Sequence, residues 1–514
     1  RTRATGRASS PTVSLVTATD DAATPGPARW SWSRDETRAF GRRVADLIAE
    51  YLADLPDGPV FRPVPPELAA AFETKPLPLA GEPADALLDA FASAVAPYPF
   101  GNGHPRFHGW VNPPPHVLGV MASALAAAMN PSVAGGNHAS VHVEHQVLRW
   151  FRELAGFPET SRGLLVSGGS MATLTALAVA RHRAAAGAGI DVRAEGLQGH
   201  ARRFVAYQGE GAHGCVRKAV ELLGLGAGSL RTVPSDAEGR IRADALREAL
   251  ARDLADGAVP VALVASVGTV STGAIDPLDE LADLCAEHGV WLHVDGAYGG
   301  AAALLLERYA DVRAAMGRAD SRALDPHKWL YAPVDAGLVL IRDGSAARDA
   351  FSLVPPYLRT DDDPHGVNGP VWFSEYGFEQ TRPFRALKVW LMLRYFGVEG
   401  YRALVEHDIA MAERLAGAVR AQPELELLAR GLSIVSFRYV PAGYRARPAV
   451  ADPDLDALNR RLLTAVQVGG RSFLSGAVVD GAFALRACFV NPGTREEDVD
   501  ALVAEVVAVG RRVA

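Results

Sequence analysis

The sequence predicts an α/β protein with a mostly parallel central sheet, an N-terminal helical segment and a small C-terminal α+β domain. Two observations carry that reading. From about residue 116 to 345, short apolar runs alternate with segments of helical periodicity, the pattern of strands joined by crossover helices. Before that stretch only helical spacing appears, and beyond residue 385 helical and strand-like segments mix.

The elements follow in order. Residues 1–28 are rich in Ser, Thr, Ala and Pro without periodicity and read as a disordered tail. Residues 29–115 form the helical segment. DETRAFGRRVADLIAEYLAD (35–54) carries apolar residues at helical spacing, a Pro-rich run follows at 56–67, and more helix extends to about 96. The segment is too thin for a core of its own, so it is expected to pack on a partner subunit. Residues 116–382 form the large domain, with strands expected at 163–166, 203–207, 261–267, 290–294, 321–324 and 337–341. Helices are expected at 170–183, 243–254 and 278–287. Ligands of such sheets bind at the carboxyl ends of the strands. Within this domain, 346–375 is a long connection containing FSLVPPYLRTDDDPHGVNGPVWF, and a loop of that length is usually functional or disordered. Residues 383–514 form the small domain, from the helix RALKVWLMLRYFG to a strand at 483–490 and a closing helix at 495–509.

Composition narrows the function. With 514 residues, 49% of them hydrophobic, the chain can bury a core without disulfide or metal staples. Its net charge of −7, from 52 basic and 59 acidic residues, argues against a general nucleic-acid binder. Cys215, Cys285 and Cys488 are odd in number and far apart, which favours a reducing compartment over a disulfide framework. The opening residues show no signal-peptide pattern. The longest apolar stretch, 117–129, is too short to cross a bilayer. The basic residues include only four lysines, Lys75, Lys218, Lys328 and Lys388. Chemistry that needs a neutral amine must use one of them, because arginine does not deprotonate.

Three motifs carry chemistry. In SGGSMAT (167–173) a strand ends, glycines follow and a helix begins. The amides of Gly169 and Ser170 there could cradle a phosphate, although a Gly-Ser turn before a helix is also an ordinary cap. In WLHVDGAYGG (291–300) an apolar strand brings Asp295 to its carboxyl end. A nearly buried carboxylate needs a cationic partner, be it a protonated pyridine nitrogen or a structural salt bridge. In ALDPHKWLYAP (323–333) Lys328 follows a strand end. It is either an exposed loop lysine or an amine able to condense with a carbonyl.

Together, in this order and with Asp295 and Lys328 33 positions apart, these motifs resemble the pyridoxal 5′-phosphate (PLP) enzymes of fold type I, the aspartate aminotransferase-like fold. More narrowly, HVDGAY and DPHKW resemble the group II decarboxylases, the aromatic-L-amino-acid decarboxylase family, and the likeness runs from about residue 35 to 510. The resemblance implies a role for each matching residue. Lys328 would carry the cofactor, and Asp295 would pair with its ring nitrogen. Ala297 would pack under the ring. His213, in EGAHGCVRKA, would stack on the other face near the substrate carboxylate. Gly169, Ser170 and His327 would hold the phosphate, and Thr269 would lie close to the cofactor. Asp276, in the same segment as Thr269, reads as a helix cap with Pro277 opening the helix. Tyr357, in VPPYLR, would come from the neighbouring subunit's loop and protonate the α-carbon, making the enzyme a homodimer with shared sites. Related aldehyde synthases replace that tyrosine, so its presence beside His213 favours decarboxylation to the amine.

The expected reaction is therefore PLP-dependent decarboxylation of an L-amino acid with an aromatic or otherwise bulky side chain, such as tryptophan, tyrosine, phenylalanine or DOPA. The alternatives are an oxidative, aldehyde-forming reaction and a non-standard amino acid. The enzyme is expected to be cytoplasmic, with no nucleic-acid or membrane partner. The substrate pocket departs from the family. Trp110 and Val111 would line it, but Val111 and Asn112 stand where Phe-Pro is usual, and Ala134 and Gly136 replace large aromatics. Asp325 stands where Asn is common. His138, His142 and His145 have helical spacing, but no acidic metal motif accompanies them.

Overall fold

The computed structural model describes residues 30–353, 366–367, 369–444 and 452–514. They divide into two compact units. The first, up to residue 54 and from 62 to 99, is helical. Its helices Arg34–Asp54, Pro66–Thr74 and Ala84–Ala94 bury no residue at all. Arg43 pairs with Asp85 and Asp89 to join the first helix to the third.

The second unit, residues 55–61 and 100–514, contains two sheets. The larger has seven strands: β1 (Arg162–Val166), β2 (Phe204–Gly209), β3 (Leu230–Val233), β4 (Val259–Ser266), β5 (Trp291–Asp295), β6 (Ser321–Leu324) and β7 (Gly337–Ile341). Their order across the sheet is β1-β7-β6-β5-β4-β2-β3. Neighbours from β6 to β3 are parallel, while β7 runs antiparallel to both β6 and β1. Hence β1, β2, β4, β5 and β6 all end on one edge. Helices cover both faces, so the central strands read as unbroken apolar runs, as in VPVALVAS of β4, instead of alternating. The smaller sheet is antiparallel, with β8 (Leu425–Gly431), β9 (Ile434–Tyr439), β10 (Ser475–Val479) and β11 (Ala482–Cys488) in the order β10-β11-β9-β8.

Most expected elements form within a few residues of their anticipated ends. In the larger sheet, β3 is the strand that the sequence hid, and in the smaller one β8, β9 and β10 were not anticipated. LRTV of β3 is four residues long, lies at the sheet edge and runs into Pro234, so it shows no strand period. The connection expected from 346 begins instead with a helix, Gly344–Phe351, whose first turn Asp343 caps by accepting from the Ser345 amide. Asp276 is a correction: no side chain caps helix Leu278–His288. Its buried carboxylate accepts from the amides of Ile241 at 2.8 Å and Ser266 at 2.6 Å, tying the β4 end to a neighbouring loop. Those long-range bonds are absent from local sequence. The histidine row is also dispersed. His138 precedes helix Ala139–Leu154, His142 bonds Asn137 and His145 stacks on Phe373.

One buried ion pair anchors β1. Arg382 bonds Glu144 at 2.5 Å and the carbonyls of Leu165 and Val133, and Glu144 accepts from the Leu165 amide. Both side chains are almost wholly buried. Burial pushes the Glu144 pKa up, and Arg382 opposes that rise. Arg382→Met leaves the carboxylate without its cation, and a broken pair of this kind costs about 3–5 kcal/mol. Chemical denaturation should show that loss, with a much smaller one when Glu144 is changed to Gln in the same chain.

Candidate active site

The carboxyl ends of the parallel strands open into a cavity of about 540 Å³ inside the second unit. The glycine turn after β1, Asp295 and Ala297 after β5, and Asp325, His327 and Lys328 after β6 all line it. So do His213 and Cys215 after β2, and Gly268 and Val270 after β4. The far wall is Trp110–Asn112 together with Ser475–Ala477 of β10 and Arg486 of β11. Every residue expected to bind cofactor or substrate among those described reaches this cavity except Thr269, and except Ala134 and Gly136 of the expected substrate pocket. The Thr269 hydroxyl bonds Thr272 and the Ala274 amide instead, closing the turn that presents Gly268 and Val270. Tyr357 lies outside the described residues.

The glycine turn is shaped by close approach. Helix Gly169–Gly187 starts with no side-chain cap, so its first amides have no partner from a capping side chain. A Cβ on Gly169 would lie 2.9 Å from Ala297 Cβ and 3.1 Å from an Asp325 oxygen. A Cβ on Gly337 would collide with the backbone of Gly168, so β7 must begin with glycine for the turn to pass. This uncapped helix start, with its partial positive charge, suits an anion.

Asp295 forms no ion pair among the described residues. One oxygen accepts from the Ala297 amide at 3.1 Å. The structural salt bridge considered from sequence is thus absent there, and the carboxylate is free for a cation that the cavity would bring. Lys328 lies 3.0 Å from Asp325, whose other oxygen is buried without a hydrogen bond. Burial pulls the Lys328 pKa down, but Asp325 and then Asp295 outweigh it, and the net shift is upward. His327 donates through Nδ1 to the Ala336 carbonyl at 2.7 Å, which fixes its ring beside the glycine turn. His213 Nδ1 accepts from the Cys215 amide at 3.2 Å, which places the proton of the neutral ring on Nε2. Burial, then the charge of Asp295, push the Cys215 thiol up to about 11, leaving it a protonated wall group.

Sequence reasoning missed Arg486. The residue is buried and spends its guanidinium on the carbonyls of Val270 and Trp110 and on Ser475, with no carboxylate in reach among the described residues. No local motif marks it, because it sits on β11, some 160 residues from the lysine motif. Ala134 and Gly136, expected at the substrate pocket, are not in this wall.

The donor set fits pyridoxal phosphate. An uncapped helix start meets a phosphate, a lysine amine meets an aldehyde, a strand-end carboxylate free of ion pairs meets a ring nitrogen, and the small Ala297 leaves room beneath a flat ring. The chain belongs to the pyridoxal-dependent decarboxylases: the model of the pyridoxal-dependent decarboxylase conserved domain matches residues 66–440. It is accordingly a PLP-dependent amino-acid decarboxylase. An aromatic-L-amino-acid decarboxylase of Bacillus atrophaeus is 32% identical over 94% of this chain and 97% of its own. The crystal structure of Oryza sativa TDC with PLP and tryptamine matches with a TM-score of 0.85 and 25% identity, covering 95% of this chain and 99% of that one. A phenylacetaldehyde synthase of Arabidopsis thaliana is 27% identical over 90% of this chain and 94% of its own. Among the described residues, no helix is long and apolar enough to cross a membrane.

Proposed function

We propose that the enzyme decarboxylates an aromatic or similarly bulky L-amino acid to its amine and CO2, as a cytoplasmic homodimer. The observation that carries the reading is the convergence of Lys328, Asp295 and the glycine turn on one cavity whose far wall holds Trp110, Val111 and a buried guanidinium. Bound PLP supplies an electron sink for the charge left at the α-carbon when CO2 departs.

The chain's own residues then divide the work. Lys328 would hold the cofactor covalently through its amine. Asp295 would keep a proton on the ring nitrogen. Gly169, Ser170 and His327 would hold the phosphate, and Ala297 and His213 would enclose the ring. Thr269 serves through the turn that it closes. Arg486 and the Nε2–H of His213 attract the substrate carboxylate and set which bond at the α-carbon is broken. Trp110 and Val111 receive the side chain. Tyr357, from the partner's loop, delivers a proton to the α-carbon and so directs the reaction to the amine, not the aldehyde.

Exposed apolar surface supports the dimer. Val117, Met121, Leu125 and Met129 form an exposed stripe on helix Val117–Met129, and Phe72, Leu87 and Phe91 are exposed on the first unit's helices. Large exposed apolar patches of this kind mark interfaces. Segment 29–115 is read as packing on the partner subunit.

The test is mass spectrometry of products after PLP-loaded enzyme meets a panel of L-amino acids in air. An amine from tryptophan, tyrosine, phenylalanine or DOPA is expected. An aldehyde with peroxide would sink the assigned role of Tyr357. No turnover of any aromatic member would refute the aromatic substrate.

A further inference from the structure

The residues that follow Lys328 are gripped by a single helix. Trp329 Nε1 and Tyr331 OH both donate to one oxygen of Asp408, at 2.8 and 2.7 Å. Tyr401 OH donates to the Leu330 carbonyl at 3.1 Å. Tyr401 and Asp408 lie seven residues apart on helix Ala386–Ala421, hence two turns along one face. Trp329 is wholly buried and stacks on Tyr298, with ring centroids 5.0 Å apart and planes 12° from parallel. Tyr298 follows Ala297 directly and is itself held, its hydroxyl meeting Ser433 Oγ at 2.7 Å and accepting from the Ser433 amide at 2.9 Å. Tyr331 adopts a left-handed backbone conformation, φ 55°, which a non-glycine residue rarely takes without outside support. Its amide donates back to the Lys328 carbonyl.

Asp408 is wholly buried, and besides Tyr331 and Trp329 the backbone amide of Asn491 stabilises its carboxylate. A buried carboxylate with no cation beside it among the described residues is a costly choice if packing were its sole purpose. The grip instead joins the two loops that enter the cavity. One carries Asp295 and Ala297, the other Lys328, and the Asp408–Trp329–Tyr298 chain fixes the second against the first.

We infer that Asp408 is a positioning residue, which with Tyr401 sets the place of Lys328 relative to Asp295. It touches neither cofactor nor substrate and acts through Trp329 and Tyr331. The inference rests on Lys328 as the cofactor-bearing lysine, and the test separates the two.

Holoenzymes carrying Asp408→Asn and Tyr331→Phe are compared with the parent at a temperature well below every Tm. Borohydride reduction and peptide mass mapping locate the pyridoxyl label. Visible circular dichroism reports the asymmetry of the bound cofactor, and dilution into a PLP scavenger gives its off-rate. In Asp408→Asn the amide oxygen can still accept from both donors, but the charge that strengthens the two bonds is gone. The label should stay on Lys328 while the visible signal changes. Cofactor loss should speed up and kcat should fall by about 10- to 100-fold, the worth of the charge assistance that two hydrogen bonds lose. KM should hold within about two-fold, because the substrate wall is untouched. Tyr331→Phe, which keeps the Trp329 bond, should move the same readouts less. It decides the matter if the first variant fails to fold. An unchanged visible signal and off-rate beside a lowered Tm, in either variant, would show a merely structural bond and overturn the inference. A label on another lysine would overturn the assignment of Lys328 itself, and the inference with it.

Discussion

Changing Lys328 to Ala should abolish stable cofactor retention and lower turnover by about 10³-fold or more, in the upper part of the range of about 10²–10⁴ typical for losing one positioned proton-transfer group. Absorbance after gel filtration and amine formation under saturating PLP measure the two effects. The other three lysines do not line the cavity. Arginine does not deprotonate, so Lys328→Arg should fare no better. The stability of the apoenzyme should fall as well. Lys328 pairs with the buried Asp325 at 3.0 Å, and its removal leaves that carboxylate without its cation. A variant that retains cofactor and turnover would refute the reading.

Asp295→Asn should weaken PLP binding by roughly 10- to 150-fold, corresponding to the loss of a hydrogen bond to a charged group of about 1.5–3 kcal/mol. Turnover at saturating cofactor should fall further, because a ring nitrogen facing a neutral amide keeps its proton less well. The fold should persist, since Asp295 makes no ion pair among the described residues and bonds only a local amide. Titration with PLP, followed by product formation at saturation, separates the two losses. Unchanged affinity and turnover would remove Asp295 from the site. The same variant also removes one of the two anions that raise the Lys328 pKa. Its amine should therefore be neutral at lower pH, and cofactor loading should extend to more acidic conditions than in the parent.

The chemistry was legible in sequence because strand-end chemistry is local. Asp295 closes an apolar strand, Lys328 follows the next one, and the glycine turn opens a helix. Each of those positions is dictated by a few neighbouring residues. The alternation of apolar runs and helical spacing likewise determined the α/β class and most strands of the large sheet, because a strand buried on both faces must be apolar throughout.

What the tertiary structure alone decided are the partners that lie far away in the chain. Arg486 reaches the cavity from β11, Asp408 reaches Trp329 and Tyr331 across 79 and 77 residues, and Asp276 turns from an expected cap into a bridge between loops. β3 forms only because β2 offers it an edge. In each case a polar group buried by the fold must find a hydrogen-bond partner wherever packing places one. Such a partner is chosen by proximity in space, and no period or spacing along the chain encodes it.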